Sequence, residues 1–201
     1  MACMIAFVDG LTAFVLAGGK SSRMGQDKAF LPWKGGTLLS HALDLVVQVS
    51  TTVQIVGDPS KFSPFGKVVE DVFVGCGPLA AIHSALSKTT SRWNLILAVD
   101  IPFVEKSFLD YLFSQAKLTD AVVTLPLTGG RLQPLCAIYR PQFAEVAEQS
   151  LKEGKNKIDP LFSTIETRVI QPSELNKQGF SEAMFRNLNT PAEFEEAQHP
   201  S

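Results

Sequence analysis

The chain has 201 residues, 45% of them apolar and 19% charged, with a mean hydropathy of +0.13. That balance excludes a largely disordered chain. At about 150 residues per domain it predicts a single domain over 1–201, with 1–11 as a lead-in segment. Eighteen Lys and Arg against 20 Asp and Glu leave a net charge of −2 and a pI near 5.9. No global basic excess exists to draw the chain to nucleic acid or an anionic membrane, and neither is expected as a partner, although a local basic patch is not excluded.

Cys3, Cys76 and Cys136 are odd in number and far apart, with no paired Cys or Cys/His spacing. A disulfide framework and a structural zinc are therefore not expected, and a reducing, cytoplasmic setting is. Asp9 and Gly10 break the N-terminal apolar stretch, and no basic residue precedes it. It reads as neither a signal peptide nor a membrane span.

In chain order, Ala13–Ala17 is a buried-strand pattern followed by a glycine-rich loop. Thr37–Val49 carries Leu38, His41, Ala42, Leu45, Val46 and Val49 at helical spacing, which predicts an amphipathic helix. Thr52–Val56 and the short Lys67–Val69 read as strands. Pro78–Ser87 reads as a helix with Pro78 first, where a missing N–H costs nothing. Trp93–Val99 is the strongest strand pattern and runs directly into Asp100. Lys106–Lys117 has a helical apolar face. Ala121–Leu125 and Leu135–Tyr139 read as strands. Pro141–Glu153 reads as a helix stopped by Gly154. Thr190–Glu193 has capping-box spacing before a last helix. The alternation predicts an α/β three-layer sandwich on a mostly parallel sheet, whose ligands bind beyond the carboxyl ends of the strands.

Three segments sit at that edge. Leu16–Lys28 holds three glycines, two hydroxyls and three cations within thirteen residues. Glycine lets the backbone turn sharply and lets phosphate approach its N–H groups; Lys and Arg add opposing charge. The spacing is neither a P-loop nor GxGxxG. Phosphate binding is favoured over a solvated glycine turn. Asp100, directly after the most apolar strand, suits Mg²⁺, which takes one or two carboxylates beside substrate phosphates; the bland alternative is a turn or cap aspartate. Glu70-Asp71 leads through Gly75-Cys76-Gly77 to a helix start with free N–H groups, and Asp71 either binds nucleotide or solvates a loop. Lys155 and Lys157 read as solvated surface more readily than as an anion site. His41 and His83 read as packing residues, and Cys136 as a buried, unreactive strand residue. No spacing compels a Ser/His/Asp or Cys/His arrangement.

Leu16-Ala17-Gly18-Gly19-x-Ser21-x-Arg23-Met24-Gly25-x-Asp27-Lys28 resembles the signature of the molybdenum cofactor guanylyltransferases, the MobA family. Gly77-Pro78-Leu79-Ala80, Asp100-x-Pro102-Phe103 and Asn187-Leu188-Asn189-Thr190-Pro191 resemble its later motifs in the same order. The similarity runs from about Thr12 to Ala197. It implies the Rossmann-like nucleotide-diphospho-sugar transferase fold. The implied activity is transfer of GMP from GTP to the terminal phosphate of molybdenum-bearing molybdopterin, with release of pyrophosphate. It implies that Leu16, Ala17, Gly18 and Gly19 line the GTP site, that Lys28 contacts phosphates, that Asp71 contacts nucleotide and that Asp100 holds Mg²⁺. Asn187 and Asn189 are implied toward the pterin side. Molybdoenzyme apo-proteins or cofactor chaperones are implied as recipients of the product.

Attack by one phosphate on another sets two anions against each other, so Arg23, Lys28, Asp100 with its metal and the loop amides are the expected catalytic groups. The attacking phosphate is already ionised, so no general base is required. Two positions depart from the family pattern. Ala81 replaces a frequent glycine, and its methyl either crowds a guanine edge or reflects a slightly different helix start. Gly57 replaces an asparagine that contacts nucleotide in some members. Two rival readings are a molybdopterin cytidylyltransferase and a non-catalytic cofactor-binding module. Retention of Lys28 and Asp100 favours an enzyme over the module.

Overall fold

Strand β1 (Leu11–Leu16) is wholly buried. It starts at Leu11, so the strand takes up the last residue of the expected lead-in. The computed structural model describes residues 10–18, 27–188 and 191–198. Residues 1–9 of the lead-in, Gly19, Arg23, Asn189 and the cap at Thr190 lie outside these.

After Asp27, one turn of 3₁₀ helix (Lys28–Phe30) leads into a hairpin of β2 (Pro32–Trp33) and β3 (Gly36–Thr37). Its two turn residues, Lys34 and Gly35, have φ of 46° and 83°. Both positive values match the two-residue turn that suits strand twist, with glycine in the second place. Helix α1 (Leu38–Val46) follows, its start fixed by a reciprocal Thr37–Ser40 capping box. It ends three residues short of Val49.

Next come β4 (Thr52–Val56), the short helix α2 (Pro59–Phe62) and β5 (Val68–Val69). Helix α3 (Pro78–Ser87) and, after β6 (Trp93–Ala98), α4 (Lys106–Lys117) keep their expected bounds, while β6 stops one residue short of Val99. Strand β7 (Val123–Thr128) is displaced two residues toward the C-terminus and folds back on β8 (Arg131–Leu132). Then come β9 (Cys136–Tyr139), α5 (Phe143–Lys152), β10 (Thr167–Ile170), α6 (Pro172–Lys177) and α7 (Pro191–Gln198).

The main sheet runs β10-β7-β9-β6-β1-β4-β5, with β8 paired to β7. Strands β1, β4, β5 and β6 are mutually parallel, while β9 is antiparallel to both β6 and β7. The short return through β8 leaves no room for a parallel crossover, which needs a dozen or more residues. Alternate β1 side chains feed two cores. Leu11, Ala13 and Val15 pack with α1 and α4, and Phe14 and Leu16 pack with α3 and α5. The expected three-layer, mostly parallel architecture is thus the observed one.

Both sheet edges are short. β5 has two residues. On β10 the Arg168 guanidinium donates to the Val169 carbonyl at 2.7 Å and pairs with Glu174 of α6. Among the described residues, no helix is long and apolar enough to cross a membrane.

Candidate functional site

The parallel strands β6, β1, β4 and β5 bring four chain exits into a row at their carboxyl edge. After β1, the N–H groups of Ala17 and Gly18 both donate to the Val56 carbonyl, at 3.1 and 3.2 Å. Val99 N–H donates to the Leu16 carbonyl at 3.3 Å. The backbone of Leu16–Gly18 is thereby tied to the ends of β4 and β6. Leu16 and Ala17 are buried and Gly18 is exposed.

Asp27 caps the 3₁₀ turn, accepting from Ala29 N–H at 3.3 Å, and its other oxygen accepts from Lys61 at 2.9 Å. This places Lys28 Nζ 3.4 Å from Asp100 Oδ2. Both side chains are only about one-fifth exposed, at 21% and 23%. The separation is longer than the roughly 2.7–2.9 Å of a tight charge-assisted bond. Two groups far apart in sequence thus face one point at the sheet edge.

The turn that bears Asp100 is held from outside. The Asp100 carbonyl accepts from Leu188 N–H at 2.9 Å, and the Pro102 carbonyl from His41 Nε2 at 2.9 Å. Beyond Pro102 and Phe103 lies a cavity of about 730 Å³, walled also by His41, Phe180 and Arg186, to which neither Lys28 nor Asp100 contributes.

Asp71 follows β5, at the opposite end of the row from Asp100. Three strand spacings amount to about 14 Å. The two carboxylates therefore stand at opposite ends of the row and do not form a pair. Asp71 is partly buried, and its Oδ1 is shielded without a hydrogen-bond partner. Burial, and secondarily the charge of Glu70, raises its pKa. The next peptide is anchored: Val72 N–H donates to the buried Ser84 Oγ at 2.9 Å, and Ser84 donates to the Ala80 carbonyl at 2.9 Å. Phe73 lies edge-on to His83 with centroids 5.1 Å apart.

Helix α3 begins at Pro78 as expected, behind Gly77 with φ 77°. The Ala81 methyl is partly buried and packs against the second core. At Gly57 a Cβ would lie 2.7 and 2.8 Å from two atoms of the buried Phe62 ring. The ring occupies the space that a longer residue at 57 would need.

His83 is buried, its pKa lowered by that burial, and Nε2 meets Ser87 Oγ at 3.2 Å. The Cys136 thiol is fully enclosed and pushed far above its ordinary range. Lys155 pairs with Glu153 at 2.7 Å in solvent, and Lys157 is exposed. His41 is more than the packing residue expected, because it hydrogen-bonds the Asp100 turn.

The couplings Lys61–Asp27, His41–Pro102, Ser84–Val72 and Leu188–Asp100 are not among the sequence expectations. Each joins residues distant along the chain, and no local pattern signals them. Among the described residues, no group of three or more His, Cys, Asp or Glu could hold a metal. A lone hard carboxylate at Asp100 does not fit zinc. It does fit Mg²⁺, which draws most of its ligands from water and substrate phosphates.

A largely parallel sheet with the Leu16–Gly18 turn leaving its first strand, and a lysine facing a lone carboxylate at its carboxyl edge, is the arrangement of a nucleotidyltransferase. The chain belongs to the MobA-like NTP transferase domain family, whose model matches residues 13–166. A probable molybdenum cofactor guanylyltransferase from Clostridium perfringens is 32% identical over 189 residues, 92% of this chain and 94% of its own. One from Carboxydothermus hydrogenoformans is also 32% identical, over 94% of this chain and 95% of its own. The crystal structure of molybdopterin-guanine dinucleotide biosynthesis protein A from Archaeoglobus fulgidus superposes with a TM-score of 0.81 at 23% identity, over 92% of this chain and 96% of that one. That of 2-C-methyl-D-erythritol 4-phosphate cytidylyltransferase from Thermus thermophilus gives 0.68 at 16% identity, over 92% and 96%. These two structures show the shared fold.

Proposed function

We propose that this protein transfers GMP from GTP to the terminal phosphate of molybdenum-bearing molybdopterin. The products are the guanine dinucleotide form of the cofactor and pyrophosphate. The observation that carries the reading is the meeting of Lys28 and Asp100 beside the Leu16–Gly18 turn. The names of the 32%-identical relatives supply the substrates.

An oxygen of the acceptor's terminal phosphate forms a new bond to the α-phosphorus of GTP. The bond from that phosphorus to the bridging oxygen breaks, and its electron pair leaves with pyrophosphate. Asp100 would hold Mg²⁺, which when bound supplies charge neutralisation and orientation for the phosphate oxygens. Lys28 and Arg23 are assigned the task of neutralising charge that grows on the leaving pyrophosphate. Leu16, Ala17, Gly18 and Gly19 line the nucleotide side. Asp71, about 14 Å along the edge by strand spacing, is assigned to the nucleoside end. Asn187, one residue before the Leu188 tie to Asp100, is assigned with Asn189 to the acceptor side. A cytoplasmic setting and delivery of product to molybdoenzyme apo-proteins or cofactor chaperones complete the reading.

The test is a nucleotide panel of GTP, CTP, ATP and UTP with molybdenum-bearing molybdopterin and Mg²⁺, monitored for dinucleotide and pyrophosphate. Product with GTP alone supports guanylyl transfer. Product with CTP replaces it by cytidylyl transfer. Nucleotide binding with no pyrophosphate release replaces it by a binding module.

A further inference from the structure

We infer that His41 is a positioning residue for the Asp100 turn, setting the direction of the carboxylate from helix α1. This rests on the reading of Asp100 as the metal-holding group.

Three observations converge. His41 Nε2 lies 2.9 Å from the Pro102 carbonyl, a contact between the first turns of α1 and the segment that follows β6. The Trp33 indole packs on His41 and on the residue after Pro102: it meets the His41 ring edge-on at 6.3 Å and the Phe103 ring at 5.4 Å with an interplanar angle of 86°. Trp33 is itself almost fully buried, at 3% exposure. Of the other two carbonyls in the run, that of Asp100 accepts from Leu188 N–H at 2.9 Å and that of Ile101 from Val104 N–H at 3.4 Å. The peptide run from Asp100 to Pro102 is therefore held at its two ends by distant elements, and losing the His41 contact leaves the Pro102 end without one.

A carbonyl accepts and cannot donate, so His41 carries its hydrogen on Nε2. The neutral Nε2–H form and the imidazolium both supply it. The contact at Nε2 serves geometry, since the Pro102 carbonyl neither gives nor takes a proton. The Thr37–Ser40 capping box fixes the start of α1 one residue earlier, so the imidazole is presented from a defined helix end.

The discriminating series is His41→Leu, His41→Asn and His41→Gln. Leucine fills the space without a donor, asparagine has a donor that falls short, and glutamine reaches. The readouts are steady-state kinetics, thermal midpoint, and Mn²⁺ binding in the presence of GTP followed by electron paramagnetic resonance, with no acceptor present. Loss of one hydrogen bond corresponds to about a tenfold change. His41→Leu and His41→Asn should weaken Mn²⁺ binding and lower kcat by that factor. GTP binding in EDTA and the KM for the acceptor should move less than twofold. His41→Gln should recover both to within about threefold.

Wild-type Mn²⁺ affinity in the leucine and asparagine variants, or a glutamine variant no better than asparagine, overturns the inference. A lowered thermal midpoint with metal affinity intact does so as well. Should His41→Leu fail to fold, the asparagine–glutamine contrast decides the question by itself. A wild-type protein that binds Mn²⁺ with GTP but makes no dinucleotide refutes the proposed activity and leaves this inference to the metal titration.

Discussion

Leu188 N–H donates to the carbonyl of Asp100 at 2.9 Å, joining the segment just before the last helix to the turn that follows the central strand. Asn187 is thereby carried to the same edge as Lys28, whose ammonium is 3.4 Å from the Asp100 carboxylate. The segment before the last helix and the segment around Lys28 thus converge on one short turn, and under the proposed function charge at that turn is the natural place to interrupt the reaction.

Asp100→Asn keeps the side-chain shape and removes the charge. Loss of one preorganised electrostatic contact costs about 10²–10³ in turnover. Pyrophosphate release with Mg²⁺ and GTP should fall by that factor, with the thermal midpoint nearly unchanged because the Lys28 partner remains partly solvated. Wild-type turnover in this variant would remove Asp100 from the mechanism.

Gly57 is a packing constraint. A methyl there meets the Phe62 ring at 2.7 and 2.8 Å, and that ring is buried and stacked on Phe30 with centroids 5.6 Å apart. Overpacking of this kind costs about 1–3 kcal/mol. Gly57→Ala should lower stability to urea by that amount. Gly57→Ala combined with Phe62→Leu should lose less than the sum of the single changes; strict additivity would show that the ring is not the obstacle.

Ser84 reaches the site through the peptide after Asp71. Ser84→Ala strips Val72 N–H of its acceptor, and an unpaired, partly buried donor costs about 1–3 kcal/mol. The KM for GTP should rise severalfold while kcat stays within twofold, and Ser84→Thr should restore much of the difference. An unchanged KM would detach Asp71 from nucleotide binding or Ser84 from Asp71.

Burial raises the pKa of Asp71 above its ordinary 3.8. In the window between the ordinary and the raised value, the folded state binds more protons than the unfolded one. Stability therefore falls as pH climbs through that window, and the penalty persists at neutral pH. Asp71→Asn should melt higher than the wild type at pH 7, with the advantage vanishing below the ordinary carboxylate pKa. Its nucleotide affinity should fall, a trade of function for stability. Calorimetric melts across pH 3–8 would show whether the two curves converge.

Much of the fold is legible in the sequence because periodicity reports which face of an element is buried. α3 and α4 begin and end where the pattern places them. Periodicity carries no direction, so the reversal of β9 escapes it. The two-residue strands β2, β3, β5 and β8 are shorter than any repeat, and of these only β5 is marked, as Lys67–Val69. At the site, the apolar run ending in Asp100 and the glycines after β1 are conspicuous because each is local. His41, Ser84, Lys61 and Leu188 act across long stretches of chain by single hydrogen bonds or ion pairs, and such bonds leave no spacing to read.

The two-residue β5 and the Arg168-capped β10 have a consequence for association. A foreign strand docking alongside either margin would find few unsatisfied backbone groups, since one rim is barely long enough to register a ladder and the other has its Val169 acceptor occupied. Cross-β self-association and peptide capture by sheet extension are both discouraged. Any macromolecule that collects the product has to be met by loops and helix faces.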